Sequence, residues 1–249
     1  MEKWLRLPVP DKVLNDHGVY ARIYGKGAPI FLIHGNYGSG HVFSKLIPGL
    51  SRQFQLILPD LPMHGSGPAE CEGFEDNPLV AVDYCMAILR YLDIKACHIC
   101  GHSLGGMIGL LLCDSYPLGA HSLALLDSFV NIAERPAELN TGSYYFEPCD
   151  AETRAEIDAA MSYGAGVRWH KSFQMETQAR KIRCPVLELQ GETKSGTEAV
   201  FSAWLKEKRA DYPPGWKVVR VPGSGHFIQI EQPGFVLQEL TRFWNSIFR

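Results

Sequence analysis

The sequence has 249 residues, of which 46% are hydrophobic and 20% are charged, and its formal net charge is −3. This length and composition are typical of one large globular domain or two small ones. A charge so close to neutral gives no reason to expect nucleic acid or an anionic membrane surface as a partner.

Short apolar runs alternate with helical patterns along the chain. The predicted strands are 19–25, 28–35, 54–60, 95–100, 121–127, 184–191 and 216–223. The predicted helices are 42–50, 77–93, 104–116, 197–209 and 233–248. Strands that alternate with helices in this way predict an α/β fold, with a mostly parallel sheet covered by helices on both faces. We expect a single domain over residues 1–249.

The alternation stops between Asp127 and Cys184. More than fifty residues without a core strand are too many for an ordinary connection and too few for a separate domain. We therefore predict an inserted helical cap over residues 128–182. A disordered loop is the alternative, and it is disfavoured by aromatic residues of the segment, among them Tyr144, Tyr145, Phe146, Trp169 and Phe173.

The N-terminal stretch "MEKWLRLPVPDK" lacks the apolar core of a signal peptide, and no apolar run reaches about 18 residues. We therefore predict neither a signal peptide nor a membrane span. The seven scattered cysteines fit a reducing environment, so the predicted location is cytoplasmic. The "CHIC" spacing of Cys97 and Cys100 does not predict a metal or redox site, because residues i and i+3 of a strand face opposite sides.

The stretch "GHSLG" places Ser103 between the end of one predicted strand and the start of a helix. Gly101 and Gly105 flank it at i−2 and i+2, where strand and helix must pass closely. A G-x-S-x-G sequence in this context is the nucleophile-elbow pattern, which presents the serine hydroxyl above the sheet. The alternative is a tight turn without chemistry.

A serine nucleophile needs a base to accept its proton. His226 follows the last predicted strand in a glycine-flanked loop, at the same sheet edge as Ser103, and is the predicted base. His34 is predicted to hold its loop by hydrogen bonding. Positional roles are predicted for the other pocket candidates, His64, His102 and His170.

A tetrahedral intermediate also needs hydrogen-bond donors for its oxyanion. We predict that these donors are the backbone N–H groups of Leu104, at the start of the helix, and Asn36, in the loop "HGNYGSG". The glycines of that loop allow the backbone to approach the reacting centre closely.

Four motifs, "HGNYG", "DLPMHGSG", "GHSLGG" and "GSGHFIQIEQP", resemble the corresponding loops of the α/β-hydrolase superfamily in order and spacing. The resemblance covers nearly the whole chain and is weakest over the cap segment. It implies about eight mostly parallel strands, with the cap after the sixth. It also implies serine-esterase chemistry through an acyl-enzyme.

The sequence departs from this family where the acidic member of the triad is usually found. The stretch after the seventh strand reads "LQGETKSG", and Lys194 stands where the family commonly has aspartate. Two carboxylates remain as candidates. Asp127 ends the strand beside the elbow strand and is the predicted acid, while Glu192 is the alternative.

The predicted function is hydrolysis of a small, fairly apolar carboxylic ester. Thioesterase, lactonase, amidase and C–C hydrolase activities use the same groups and stay open, as does the oligomeric state. Alternatives of another kind are a cofactor-free dioxygenase or lyase that uses the His–acid pair as a base, and a ligand-binding receptor. A serine at the elbow disfavours haloalkane and epoxide hydrolysis, which need aspartate there.

Without an H-E-x-x-H motif or a phosphate-binding glycine loop, neither a metal nor a cofactor is predicted.

Overall fold

The computed structural model describes residues 10–16, 18–128, 175–192, 198–208 and 212–247, together with Ala151, Ala155, Asp158 and Val167. The predicted cap, 128–182, lies largely outside the described residues. Tyr144, Tyr145, Phe146, Trp169 and Phe173 lie outside them as well, as do His170, with its predicted positional role, and Lys194.

Eight strands form one sheet in the order β1-β2-β4-β3-β5-β6-β7-β8. They are β1 (Lys12–Asp16), β2 (Val19–Tyr24), β3 (Ala28–Ile33), β4 (Phe54–Pro59), β5 (Cys97–His102), β6 (Ala120–Leu126), β7 (Val186–Gly191) and β8 (Trp216–Val221). The pairs from β4 through β3 to β8 are parallel, and only the β1–β2 and β2–β4 pairs are antiparallel. The predicted eight-stranded, mostly parallel sheet is confirmed.

The helices are α1 (Ile47–Leu50), α2 (Pro78–Tyr91), α3 (Leu104–Ser115), α4 (Met175–Ala179), α5 (Glu198–Lys208), α6 (Ile228–Glu231) and α7 (Pro233–Ile247), and a 3₁₀ turn spans Gly40–Phe43. α2 begins as its sequence predicts: the Asn77 side chain accepts a hydrogen bond from the Leu79 amide, and Pro78 occupies the first turn. Within the described ranges, no helix is long and apolar enough to cross a membrane.

Apolar side chains cover both faces of the sheet. On β3, Phe31 and Ile33 belong to the core under α2 and α3, whereas Ile30 and Leu32 belong to the core under α7. A strand buried on both sides has to be apolar at every position, which is why this segment reads as a continuous hydrophobic run. Because β3 and β5 to β8 run parallel, their carboxyl ends meet at one edge of the sheet.

Two local predictions differ from the structure. β1 is absent from the predicted strands, because only Leu14 of its five residues is buried and the hydrophobic pattern is correspondingly weak. The predicted helix 42–50 is instead the 3₁₀ turn followed by the separate α1. Pro48 explains the break, since it has no N–H to donate to a carbonyl one turn earlier.

Candidate active site

Ser103 lies at a sharp reversal between β5 and α3. Its φ is 52°, in the left-handed region that residues other than glycine seldom adopt. A Cβ added at Gly101 would lie 2.2 Å from the carbonyl oxygen of Gly105, and one added at Gly105 would lie 2.1 Å from that of Ile33. The two glycines therefore let the helix pass directly over the strand ends, as the elbow pattern requires.

The end of β6 holds this reversal from two sides. The Ser103 amide donates to the Leu126 carbonyl at 3.0 Å. The Ser128 hydroxyl donates to the Ser103 carbonyl at 2.6 Å. Nothing in the motif signalled the contribution of Ser128, which follows from the parallel register of β5 and β6.

Asp127 and His226 are hydrogen-bonded, although 99 residues separate them in the sequence. The Nδ1 of His226 donates to Oδ2 of Asp127 at 2.6 Å, and the Gly191 amide donates to Oδ1 at 2.8 Å. The Asp127 side chain is fully buried, whereas 15% of the His226 side chain is exposed. Because a carboxylate only accepts, Nδ1 carries the proton, and the lone pair of the neutral imidazole is on Nε2.

The loop that carries His226 is held by two further side chains. The carboxylate of Glu231 accepts from the amides of Gly225 at 2.5 Å and Phe227 at 3.0 Å. His102, the residue before Ser103, donates from Nε2 to the His226 carbonyl at 2.9 Å, and the two rings lie 4.6 Å apart between centroids. His226 thus lies against the strand that ends at Ser103.

The ring of His102 is neutral in this setting. Burial, and then the neighbouring His226 ring, hold the pKa of His102 well below its usual range. A neutral His102 donates to the backbone and places no positive charge beside His226.

Glu192, the alternative acid, contacts Arg220 and Gly223. One carboxylate oxygen lies 3.5 Å from the guanidinium of Arg220, and the other accepts from the Gly223 amide at 3.3 Å. Of the two candidate carboxylates, Asp127 is the one with the short hydrogen bond to His226.

The loop after β3 lies against the elbow. A Cβ added at Gly35 would lie 3.0 Å from the Cβ of Ser103, so this backbone passes next to the predicted nucleophile. Asn36 follows in the loop, and its side-chain oxygen accepts from the Val167 amide at 3.1 Å. The other predicted donor, Leu104, is the first residue of α3, where the N–H has no carbonyl of a preceding turn to bind.

His34 anchors this loop by two hydrogen bonds. Its Nδ1 donates to the Gly35 carbonyl at 2.8 Å, and its Nε2 accepts from the Leu61 amide at 2.9 Å. Burial, reinforced by the nearby His64, lowers the pKa of His34 to about 4, so the ring is neutral. His64 donates from Nδ1 to the Pro62 carbonyl at 2.8 Å.

A buried ion pair supports the same loops and was not foreseen from the sequence. Arg22 on β2 donates to both carboxylate oxygens of Asp60, at 3.0 and 2.9 Å. The amides of Gly40 and Ser66 also donate to Asp60, each at 2.8 Å. Burial favours a raised pKa for Asp60, but His34, Arg22 and the two amides outweigh it, so the pKa is lowered. One carboxylate thereby joins the loops after β3 and β4.

No group of three or more potential metal ligands occurs among the residues that the structure describes.

Comparison with known proteins connects this geometry to one family. Residues 28–163 match the family model described as the alpha/beta hydrolase fold. A 2-(acetamidomethylene)succinate hydrolase of Mesorhizobium japonicum is 27% identical, over 88% of this chain and 88% of the relative. The Magnesium-chelatase 30 kDa subunit of Rhodobacter capsulatus is 35% identical over 43% of this chain. The matched part spans only 38% of that subunit's length.

Among solved structures, a thermophilic esterase from Thermogutta terrifontis superimposes with a TM-score of 0.74 at 17% identity. That match covers 92% of this chain and 94% of the esterase. It shows a shared fold across nearly the whole of both molecules. The family match spans more than half of the sequence and includes the elbow and the loop after β3. The chain belongs to the alpha/beta hydrolase family.

Proposed function

We propose that the protein is a serine hydrolase that cleaves a small, fairly apolar carboxylic ester through an acyl-enzyme. The observation that carries this proposal is the 2.6 Å hydrogen bond between His226 and Asp127, formed beside the strand that ends at Ser103. A serine at an elbow, an imidazole with its Nδ1 proton held, and a buried carboxylate are the groups that acyl transfer requires.

In the first half of the proposed reaction, Nε2 of His226 accepts the hydroxyl proton of Ser103 while Oγ attacks the ester carbonyl. Asp127 holds the imidazole in the required tautomer and stabilises the imidazolium that forms. The backbone N–H groups of Leu104 and Asn36 donate to the oxyanion. His226 then protonates the departing alcohol, which leaves the acyl group on Ser103.

In the second half, the same imidazole accepts a proton from water, and the resulting hydroxide attacks the acyl-enzyme. Collapse of the second tetrahedral intermediate returns the proton to Ser103 and releases the carboxylic acid. The bonds of Asp127 to Gly191 and of Glu231 to the His226 loop keep the base in place through both halves.

The residues near the oxyanion loop indicate which kind of ester the site accepts. Val167, an apolar residue of the segment between β6 and β7, is buried and bonded to Asn36. An apolar side chain next to the reacting centre favours substrates with an apolar acyl or alcohol part. The names of the similar proteins, a hydrolase and an esterase, agree with the class of reaction.

Labelling with a fluorophosphonate probe tests the nucleophile. We expect stoichiometric labelling of the wild type and none of Ser103→Ala, because the probe reacts only with an activated serine. Labelling that persists in Ser103→Ala would contradict the assignment. Labelling of neither protein would favour a ligand-binding receptor.

Turnover of esters that vary in acyl and alcohol length, beside thioesters and lactones, tests the substrate class. We expect short apolar esters to give the highest kcat/KM. A preference for thioesters or lactones would correct the class while retaining the mechanism. A reaction that needs dioxygen, or that proceeds equally well in Ser103→Ala, would instead support the dioxygenase or lyase alternative.

A further inference from the structure

A cleft of about 240 Å³ lies at the edge of the sheet opposite Ser103. Its lining residues are Cys113, Asp114, Pro117, Ala120, Lys181, Arg183 and Cys184. Ala120 is the first residue of β6 and Cys184 comes two residues before β7, so the cleft is at the amino ends of the parallel strands. The proposed reaction uses none of these residues.

Two cysteine side chains meet in this cleft. Cys113, near the end of α3, is 4% exposed, and Cys184 is half-buried. Their thiol groups are hydrogen-bonded to each other. A disulfide requires its two sulfur atoms to lie next to each other, and the hydrogen bond between these thiols brings them together in one open cleft.

The two sulfur atoms differ in acidity because of this contact. The hydrogen bond from Cys113 outweighs burial and lowers the pKa of Cys184. The same bond, together with burial, raises the pKa of Cys113 well above its usual range. The bond therefore favours ionisation at Cys184, with Cys113 as the thiol that donates to it.

The cleft also carries charged side chains. Asp114, the acidic residue of the lining, is bonded at 3.2 Å to Nζ of Lys181. Arg183 precedes Cys184 directly and lines the same cleft. The hydrogen bond from Cys113 favours the thiolate of Cys184, which is the nucleophilic form of cysteine.

We propose that Cys113 and Cys184 are a reversible redox pair that hydrogen peroxide converts to an intramolecular disulfide. The Cys184 thiolate attacks one peroxide oxygen, the O–O bond breaks, and the departing hydroxide takes up a proton to leave as water. The sulfenic acid formed on Cys184 is then attacked by the sulfur of Cys113. The S–S bond forms, the S–O bond breaks, and a second water leaves with the Cys113 proton. Two thiols are thus oxidised while one hydrogen peroxide is reduced to two waters, and a dithiol reverses the change.

The other cysteines of the described part of the chain provide internal comparisons. Cys85, Cys97 and Cys100 are fully buried, and burial raises the pKa of each thiol. Cys71 is half-buried like Cys184, yet its pKa is raised by burial. Solvent accessibility alone therefore does not distinguish Cys184 from Cys71. The feature that distinguishes Cys184 is its contact with a second thiol.

The disulfide would close a loop that contains β6, Asp127 and the whole segment between β6 and β7. Cross-linking a long loop restricts the unfolded chain and raises the temperature of unfolding. The proposal does not depend on the proposed ester hydrolysis, because it concerns the opposite edge of the sheet.

The test treats the reduced full-length protein with a small excess of hydrogen peroxide and follows its thiols by mass spectrometry. We expect a peptide pair joining Cys113 to Cys184, about 2 Da lighter than the sum of its reduced parts. Dithiothreitol should restore both thiols, and the oxidised protein should unfold at a higher temperature. Because one tryptic peptide holds Cys97, Cys100, Cys113 and Cys149, the site is assigned by fragmentation and by variants.

The variants separate the two sulfur atoms. In Cys113→Ser, which keeps a hydroxyl that can donate to Cys184, we expect a sulfenic acid on Cys184, trapped by dimedone, and no cross-link. In Cys184→Ser the fast reaction with peroxide should be lost. Cys71→Ser, the control at a half-buried cysteine elsewhere, should oxidise like the wild type. Oxidation of Cys71 as fast as Cys184, or oxidation of Cys184 without a bond to Cys113 in the wild type, would overturn the proposal.

Discussion

At the scale of single residues, Asp127 has the most demanding position in the site. It has a φ of 44°, is buried, and binds His226 and the Gly191 amide through its two oxygens. An asparagine keeps the volume but offers one accepting oxygen for two donors. We therefore expect Asp127→Asn to lower kcat about 10³- to 10⁴-fold, because the imidazole loses its required tautomer. Turnover of the best ester substrate, with circular dichroism to verify the fold, measures this loss.

Glu192→Gln is the matched control, because it also converts a carboxylate to an amide in a neighbouring loop. Its carboxylate contacts Arg220 and Gly223, whereas Asp127 holds the short hydrogen bond to His226, so we expect kcat close to that of the wild type. If Glu192→Gln reduced kcat as strongly as Asp127→Asn, the acid would have been assigned to the wrong residue.

The sequence predicts the elbow and the histidine loop because each is a short contiguous motif whose turn depends on its own glycines. It left Asp127 and Glu192 both open, since the residue that meets His226 depends on how the ends of β6 and β7 lie beside each other. The contacts of Ser128 and Glu231 likewise arise from pairing between distant segments, and no local pattern signals them.

At the scale of elements, the contact between α3 and the strand ends depends on glycine. A methyl group at Gly105 would lie 2.1 Å from the carbonyl oxygen of Ile33. Because this oxygen belongs to the backbone, a change of side-chain rotamer cannot remove the clash. We expect Gly105→Ala to lower the free energy of unfolding by about 3 kcal/mol or more, as overpacking against rigid neighbours does. Urea unfolding followed by circular dichroism measures the change.

Gly234→Ala provides the comparison within α7, where an added Cβ meets no atom within 4 Å. Alanine is favoured over glycine in helices, so we expect this change to stabilise the protein by up to about 1 kcal/mol. A loss of stability at Gly234, or none at Gly105, would be incompatible with the close helix–strand contact described here.

The elements that the sequence predicted well are those whose burial is extensive. β3 and α2 owe their patterns to large apolar surfaces and, in α2, to the Asn77 cap. β1 escaped prediction because a single buried residue leaves almost no periodic signal at a sheet edge. The predicted cap over 128–182 stays a prediction.

At the scale of the whole molecule, burial of neutral histidines links stability to pH. Burial, then His64, lowers the pKa of His34 to about 4, and burial, then His121, lowers that of His98 to about 4. In the unfolded chain both have pKa values of about 6.5, so unfolding takes up protons in mildly acidic solution. The stability that comes from keeping both rings neutral is present in full above pH 6.5, and it is lost as the pH falls toward 4. Between pH 7.5 and 5.5 we expect a loss of about 1 kcal/mol for each histidine.

Urea unfolding at half-unit intervals of pH measures this loss, and the slope gives the number of protons taken up. His102, whose pKa is also lowered, adds to the effect in the same direction. The lowered pKa of Asp60 contributes only at more acidic pH, because a free aspartate titrates near pH 4. His98→Gln removes one titrating ring, and its stability should therefore fall less between pH 7.5 and 5.5 than that of the wild type. A free energy of unfolding that stays constant over this range would show that these rings are not buried in the neutral form.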